Sequence, residues 1–375
     1  MSWNMNRAAM FFIALSLLPA AILPCAADPV VVQSALGGSI IGYDVDRTGT
    51  MGILSEYVPH GNANDVAVET FDLSTGVIVK VVKKKISTKN DYVVLGVVGA
   101  GAGLVETEHV GDLFVDKRTY NVIAPLSNGK FTGKWTPPLS KKDILLSASV
   151  NTGASTTALM GFPNTGSGHT FLFASDVASN TFGSKIEIDD DVFDFNDSPV
   201  MAYDSQTNTA FVGASVGCNP SCFGELRSVD LANGAVGDAV RVGHGFVNGI
   251  AADELHSIIA TTTELDFTVE FFNEKTHHLV RTVLQGANSQ INSGTDVQFD
   301  PMHKLFFIGQ PFSSTGPNSS IQVYDRMGVF VESINNLHLP TSASRIALSP
   351  ALRRGFVQSS VNGSQLQIFS YRPQR

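Results

Sequence analysis

Apolar and polar residues alternate along most of the chain in short stretches, and polar turns separate one stretch from the next. Residues 200–213 show the pattern clearly: an apolar strand, a turn of Asp, Ser, Gln, Thr and Asn, and a second apolar strand. Alternation with a period of two is typical of half-buried β-strands, and Asp or Asn near Gly favours a tight hairpin. Because no stretch has the periodicity of an amphipathic helix, the pattern predicts an all-β protein.

Two motifs of this kind recur about every fifty residues. The first is a hairpin whose turn carries an acidic or amide residue, at Asp72, Asp116, Asp176, Asp230, Asn273 and Asp325. The second lies between copies of the first and is clearest at residues 200–213, 250–260, 297–309 and 346–358. Degenerate earlier copies start near Ile41, Val93 and Leu145, so that seven copies start 47 to 55 residues apart. Each period therefore contains two hairpins, which amount to four strands.

Four-stranded units at this interval are the sequence signature of a β-propeller. The pattern predicts a seven-bladed β-propeller with four antiparallel strands in each blade. The last unit is one strand short, because the chain ends soon after residues 365–371. Residues 30–33 are expected to supply the missing outer strand, which would close the ring and remove two exposed sheet edges. An open sandwich and two separate β domains are the alternatives.

The units at 200–213, 250–260, 297–309 and 346–358 resemble the repeats of YVTN and lactonase-like propellers. The resemblance extends over the chain from residue 28 onward and implies the seven-bladed architecture. It says little about chemistry. The Trp-Asp dipeptide of WD-repeat blades and the Ser-x-Asp-x-Gly-x-Thr-Trp box of sialidases do not occur.

The amino-terminal segment has the layout of a secretory signal peptide. Residues 1–27 carry one charge, Arg7, then an apolar run, and end in Cys25-Ala26-Ala27. We expect cleavage after Ala27 and a single propeller domain over residues 28–375. A buried first helix and a membrane anchor are the alternatives, but the apolar run is short and is interrupted by prolines. The expected product is secreted, or periplasmic if the host is bacterial.

Composition and charge exclude several classes of partner. The chain has 25 Lys and Arg against 34 Asp and Glu, a net charge of −9, which argues against a nucleic-acid partner. No apolar stretch approaches the length of a membrane span. We therefore expect a monomer whose partner is a small molecule or a protein.

Two cysteines remain after the expected cleavage. Cys218 and Cys222 flank Asn219-Pro220-Ser221, a turn-forming tripeptide that can bring the two side chains together. In an oxidising compartment this spacing predicts a small-loop disulfide. A redox-active pair is the alternative.

Polar residues stand just before the predicted innermost strands, where a propeller has the mouth of its channel. These predicted rim residues are Asp91, Asp143, Asn196, Asp197, Asn248, Asp296 and Arg345. Carboxylate and amide oxygens that converge on one axis are ligands that Ca²⁺ or another divalent cation prefers. The alternative is that these side chains cap strand ends by accepting hydrogen bonds from backbone N–H groups.

Asn248-Gly249 resembles the Asn-Gly strand start of gluconolactonase and senescence-marker propellers. That resemblance implies a divalent ion held by Asn196, Asn248 and Asp296, where it would polarise a lactone or ester carbonyl and activate water. The Glu that completes the ligand set in that family has no counterpart around residues 38–44. Two functions follow from the sequence: a binding platform that acts through one rim of the channel, or a metal-dependent lactonase or esterase. No catalytic residue is assigned.

Overall fold

The structure is a computed structural model, and it describes eighteen ranges of the chain. They are residues 29–46, 49–60, 63–87, 92–99, 102–110, 115–123, 131–135, 149–152, 157–163, 170–176, 181–188, 200–216, 223–245, 247–263, 268–284, 296–310, 319–339 and 345–372. Within these ranges the chain forms strands and turns and no helix, which confirms the all-β prediction. It follows that none of them contains an apolar helix long enough to span a bilayer. The predicted signal peptide, residues 1–27, lies outside the described residues.

Strands of the described ranges form seven antiparallel sheets, which we number 1 to 7 along the chain. The first strand, β1 (Val30–Gln33), belongs to sheet 7. Sheets 1 to 3 each contain four consecutive strands in spatial order. They are β2 (Ser39–Val45), β3 (Met51–His60), β4 (Ala63–Asp72) and β5 (Ile78–Ser87) in sheet 1; β6 (Tyr92–Gly99), β7 (Ala102–Val110), β8 (Val115–Ile123) and β9 (Phe131–Trp135) in sheet 2; and β10 (Ser149–Thr152), β11 (Thr157–Pro163), β12 (Thr170–Asp176) and β13 (Thr181–Ile188) in sheet 3.

Sheets 4 to 7 repeat this arrangement with two departures. Their strands are β14 (Val200–Asp204), β15 (Thr209–Val216), β16 (Phe223–Asp230), β17 (Ala235–Val236) and β18 (Val240–His244) in sheet 4; β19 (Val247–Asp253), β20 (Ile258–Thr263), β21 (Thr268–Asn273) and β22 (Leu279–Leu284) in sheet 5; β23 (Val297–Asp300), β24 (Leu305–Gln310), β25 (Ser319–Asp325) and β26 (Phe330–Leu337) in sheet 6; and β27 (Ala347–Ser349), β28 (Arg354–Gln358) and β29 (Gln365–Ser370) in sheet 7. In sheet 4, β17 and β18 both pair with β16. In sheet 7, β1 pairs antiparallel with β29.

The first strand of each sheet starts within four residues of the position predicted from the repeat. These first strands also contact one another in series. The contacting pairs are β2 and β6, β6 and β10, β10 and β14, β14 and β19, β19 and β23, β23 and β27, and β27 and β2.

The apolar core lies between neighbouring sheets. Phe71 of sheet 1 meets Phe356 of sheet 7 edge to face, with ring centroids 5.2 Å apart. Phe271 of sheet 5 meets Phe306 of sheet 6 in the same way at 5.4 Å. All four rings are fully buried, and a buried Phe contributes about 1.5–3 kcal/mol relative to an exposed one. Sheets 7 and 1, and sheets 5 and 6, are therefore held together by apolar packing as well as by their own ladders.

The hairpin turns explain why Asp and Asn recur in the sequence. The Asp72 carboxylate accepts the N–H groups of Ser74 and Thr75 at 2.8 and 2.9 Å. Asn273 accepts the N–H groups of Lys275 and Thr276 at 3.0 Å each. A short polar side chain in this position supplies acceptors to turn N–H groups that have no ladder partner.

Candidate functional site

Three of the predicted rim residues fall within the described ranges: Asn248, Asp296 and Arg345. The others, and the two cysteines, lie outside them; these are Asp91, Asp143, Asn196, Asp197, Cys218 and Cys222. The predicted three-residue metal site therefore has two described members, Asn248 and Asp296.

Asn248 and Asp296 belong to neighbouring first strands that approach closely. Asn248 is the second residue of β19, and Asp296 immediately precedes β23. A Cβ atom on Gly249 would lie 2.6 Å from the backbone nitrogen of Val297 and 2.9 Å from the carbonyl carbon of Asp296. Only glycine permits this approach, which explains Gly249 at the start of β19 without reference to a ligand.

The carboxylate of Asp296 connects sheet 6 to sheet 7. Its Oδ2 accepts the N–H of Ile346 at 2.5 Å, and the side-chain amide of Gln298 lies 3.3 Å from Oδ1 and 3.2 Å from Oδ2. Although Asp296 keeps some accessible surface, protein surrounds its carboxyl group, and this burial raises its pKa to about 6. The Ile346 N–H, the Gln298 amide and the charge of Arg345 limit that rise.

Arg345 connects sheet 7 to sheet 1. Its Nη2 lies 2.7 Å from Oδ2 of Asp44, and both side chains are partly exposed, at 30% and 14%. The backbone carbonyl of Arg345 accepts the hydroxyl of Tyr43, which in turn accepts the N–H of Gln358 at 3.2 Å. Burial raises the pKa of Tyr43, which therefore stays a neutral hydroxyl. We name Asp44, Asp296 and Arg345, with Tyr43 and Gln298, the rim cluster.

The described part of the predicted metal site does not fit a divalent cation. Both oxygens of Asp296 lie against N–H donors, and the positive charge of Arg345 also stabilises this carboxylate. N–H donors and a guanidinium already compensate this carboxylate, whereas a cation requires lone pairs aimed at one point. Among the residues that the structure describes, no three His, Cys, Asp or Glu side chains are placed to hold a metal ion. The bonds of Asp296 are those of a residue that caps a neighbouring strand.

A second polar cluster, which the sequence did not reveal, lies in sheet 1 beneath the link between β1 and β2. Glu56 and Glu69 are fully buried on β3 and β4. Glu56 Oε2 accepts the hydroxyl of Ser34 and, at 2.8 Å, the N–H of Gly38, while Glu69 accepts the N–H of Ala35 at 3.0 and 3.2 Å. Burial, and then the neighbouring Glu56, raise the pKa of Glu69 to about 7. Glu69 therefore holds a proton below about pH 7, beside the Glu56 carboxyl group.

A third cluster links sheets 4 and 5. The hydroxyl oxygen of Thr207 lies 2.9 Å from Asp204 Oδ2 and 3.1 Å from Glu274 Oε1. Burial, and then the nearby Asp204, raise the pKa of Glu274 to about 7. The partners come from different hairpin turns, so that no local sequence motif contains them.

Two buried aspartates at the ends of first strands carry a histidine three residues later. In both Asp253–His256 and Asp300–His303 the ring Nδ1 lies 2.7 Å from the carboxylate Oδ2. Asp300 also accepts the hydroxyl of Tyr371 at 2.6 Å, which ties sheet 6 to the end of sheet 7. Burial raises the pKa of Tyr371. These groups fix turns and join sheets, so we assign them no chemistry.

No protein-family model matches this chain, and no curated protein is similar to it in sequence. The resemblance to YVTN and lactonase-like propellers therefore stays a prediction, and the function is argued from the geometry.

Proposed function

We propose that this protein is a secreted seven-bladed β-propeller that binds a small polar ligand, or a polar loop of a partner protein, through one rim of its channel. The repeat of four strands supports the architecture, as does the series of first-strand contacts that returns from β27 to β2. The pairing of β1 with β29 is the contact expected if the chain ends close the ring. The support for export is the sequence of residues 1–27.

One observation carries the binding role: the partly exposed Arg345–Asp44 pair on a rigid support. Tyr43, Gln358 and the Asp296–Ile346 bond fix the backbone around Arg345. The guanidinium has several N–H donors and gives Asp44 a contact through Nη2, while nearly a third of its side chain remains accessible. A fixed, partly exposed guanidinium beside a carboxylate suits a ligand that offers an acceptor oxygen and a donor group side by side.

The metal-dependent hydrolase is the second candidate, favoured by the adjacency of Asn248-Gly249 and Asp296. The platform agrees better with the charge pattern, because Arg345 lies where a cation would be repelled and Asp296 is already hydrogen-bonded. Its pKa of about 6 also keeps Asp296 partly protonated in mildly acidic solution, which weakens a metal ligand.

Metal analysis separates the two candidates. The platform predicts purified protein without a stoichiometric divalent ion, and the same melting temperature before and after treatment with a chelator. The hydrolase predicts a bound ion, a lower melting temperature after chelation, and loss of the ion in Asp296→Asn. A bound ion that disappears in this variant would overturn the platform.

Ligand binding is tested by thermal-shift titration with acetate, citrate and gluconate as probes. We expect at least one of them to raise the melting temperature of the wild-type protein and to have no effect on Arg345→Ala. Arg372→Ala is the matched control, because Arg372 is exposed and lies outside the rim cluster. A shift that survives in Arg345→Ala, or no shift with any probe, contradicts the proposed site.

A further inference from the structure

The turns of sheets 5 to 7 form one end of the molecule that the proposed ligand site does not use. In an antiparallel sheet with strands in sequential order, the turn between the first two strands and the turn between the last two lie at the same end. We name the set of such turns at residues 254–257, 274–278, 301–304, 326–329 and 350–353 the hairpin face. Asp296 precedes β23 and residues 301–304 follow it, so the hairpin face lies at the other end of that strand.

Large apolar side chains project from this face. Met302 is 62% exposed and Leu255 is 59% exposed; Met327, Val329 and Leu352 are also exposed. Their positions are fixed by the turn caps: the N–H of Met302 donates to Asp300, and that of Met327 donates to Asp325, at 2.8 Å each. The cap that forms the turn therefore also holds the apolar side chain outward.

Basic residues alternate with these apolar tips along the chain. His303 and Lys304 follow Met302, Arg326 precedes Met327, and Arg353 follows Leu352. Lys275 and Lys304 are exposed. A face with this charge stands out on a chain whose net charge is −9.

The acidic groups of the hairpin face are buried or engaged. Asp253 and Asp300 are fully buried, and Glu274 is nearly so. The Glu254 carboxylate lies 2.5 Å from the hydroxyl of Ser205 on sheet 4, and Asp325 accepts N–H groups of its own turn. The accessible basic side chains outnumber the two partly exposed carboxylates, Glu254 and Asp325, so the net charge of this face is positive. These basic side chains are Lys275, Lys304, Arg326 and Arg353.

Hydrogen bonds hold neighbouring turns of the face in fixed positions. Within sheet 5, the N–H of Glu274 donates to the carbonyl of Ser257 at 2.8 Å. Between sheets 5 and 6, Arg281 donates to the carbonyl of Met327 at 3.1 Å. Between sheets 6 and 7, Arg353 Nε lies 3.1 Å from His303 Nε2. The apolar tips thus form one preorganised array.

We propose that the hairpin face docks on an anionic phospholipid bilayer, with Leu255, Met302, Met327 and Leu352 in the headgroup–acyl boundary and the neighbouring basic side chains at the phosphates. Three of these four apolar side chains, Met302, Met327 and Leu352, each have a basic neighbour in the chain. Single apolar side chains beside basic residues match a surface where phosphates surround every inserted side chain. A protein partner would favour a contiguous apolar centre inside a polar rim. This inference does not depend on the ligand site, because it rests on turns of sheets 5 to 7 that contain neither Arg345 nor Asp44.

The test is co-sedimentation of the purified protein with phosphatidylcholine vesicles, with and without a minor fraction of phosphatidylglycerol. We expect binding only to the anionic vesicles, and loss of binding at about 1 M salt, where the Debye length is about 3 Å. The double variant Leu255→Ser/Met302→Ser should lower the partition coefficient by about tenfold or more, because two apolar side chains no longer leave water. Lys275→Gln and Lys304→Gln should each lower it by about fivefold.

Val361→Ser is the matched control. Val361 is 71% exposed and lies in the turn between β28 and β29, at the opposite end of sheet 7. Its partition coefficient should equal that of the wild type, and all variants should keep the wild-type melting temperature. Equal binding to neutral vesicles, no binding to either, or wild-type binding by the Leu255→Ser/Met302→Ser variant would overturn the proposal. So would self-association that the double variant abolishes, since the occupant would then be a second copy of the chain.

Discussion

Two neighbouring joints invite comparison: the 7–1 joint, between sheets 7 and 1, and the 6–7 joint, between sheets 6 and 7. Both are built around a fully buried Phe, Phe356 in the first and Phe307 in the second. Phe356 packs on Tyr43 and Phe71, with centroids 5.7 and 5.2 Å away. Phe307 packs on Tyr371 at 4.6 Å. The apolar parts of the two joints are therefore alike.

The polar parts differ. In the 6–7 joint, carboxylates of sheet 6 accept hydrogen bonds from neutral donors that follow or precede the strands of sheet 7: Asp296 from the N–H of Ile346, and Asp300 from the hydroxyl of Tyr371. In the 7–1 joint, two buried carboxyl groups, Glu56 and Glu69, hold the segment that follows β1. The joint that contains the β1–β29 pair thus depends on a buried carboxyl group, Glu69, whose pKa is raised to about 7.

The largest predicted effect tests whether the 7–1 joint contributes as much to the free energy of unfolding as the 6–7 joint does. Phe356→Ala and Phe307→Ala should each lower the free energy of unfolding by about 3–5 kcal/mol, because each leaves a cavity in a closed core. The measurement is urea unfolding monitored by circular dichroism. If Phe356→Ala lowers the free energy of unfolding far less than Phe307→Ala does, the 7–1 joint can open without unfolding the molecule, and the proposed closed ring is wrong.

The second prediction concerns the pH dependence of the 7–1 joint. Glu69 has a pKa of about 7 in the folded protein against an ordinary value of 4.5, so the folded state binds more protons between these values. Stability from this group is present below pH 4.5, falls as the pH rises toward 7, and does not return above it. The contribution of Glu69 to the free energy of unfolding that is lost in this way is up to about 3 kcal/mol. Glu69→Gln imitates the protonated group and should be more stable than the wild type at pH 8, with little difference at pH 4.5.

Urea unfolding of both proteins across this pH range measures the effect. Glu274→Gln is the matched control, because Glu274 also has a raised pKa of about 7 but joins sheets 4 and 5. Both variants should make the free energy of unfolding less dependent on pH. Only Glu69→Gln should slow amide hydrogen exchange at Ala35 at pH 8. An unchanged exchange rate at Ala35 would mean that the Glu56–Glu69 pair does not hold the segment after β1.

The third prediction compares one hydroxyl in each joint. Tyr371→Phe removes a hydrogen bond to buried Asp300, which still accepts the N–H groups of Met302 and His303. Tyr43→Phe removes the only hydroxyl between the Arg345 carbonyl and the Gln358 N–H among the described contacts. We expect each variant to lower the free energy of unfolding by about 1–2 kcal/mol. The larger loss is expected for Tyr43→Phe, because the Arg345 carbonyl and the Gln358 N–H then lose the hydroxyl that joins them. Chemical denaturation resolves the difference, and a larger loss for Tyr371→Phe would reverse the ranking.

The sequence predicted the turns and the repeated strands well because both depend on local patterns. Alternating residues and Asp-capped hairpins located the first strands to within four residues, and β14 and β23 at their exact starts. The short β17 and the pairing of β18 with β16 were not predicted. The two strands together take the place of one outer strand, and this division leaves no separate repeat in the sequence.

The polar clusters escaped prediction because their members are distant in the chain. Glu69 alternates with apolar neighbours as an exposed strand residue also does, and nothing near it indicates that Ala35 will cover it. Asp296 was expected at the rim, but its partner Ile346 is fifty residues away. The sequence shows which residues have carboxylate or amide oxygens. Only the fold shows whether such an oxygen accepts a backbone N–H or is available to a ligand.

The smallest predicted effect separates structure from binding in the rim cluster. The Arg345–Asp44 pair is partly exposed, so Arg345→Ala should cost only about 0.5–1 kcal/mol of stability while it abolishes the ligand response. A double-mutant cycle with Asp44→Ala measures the coupling between the two side chains, which we expect to be below about 1 kcal/mol and to weaken with salt. Arg345→Lys keeps the charge but not the planar fork, and should restore stability without restoring ligand binding. A coupling of several kcal/mol would instead make this pair a structural clamp, like the polar links of the 6–7 joint, and would remove it from the proposed binding site.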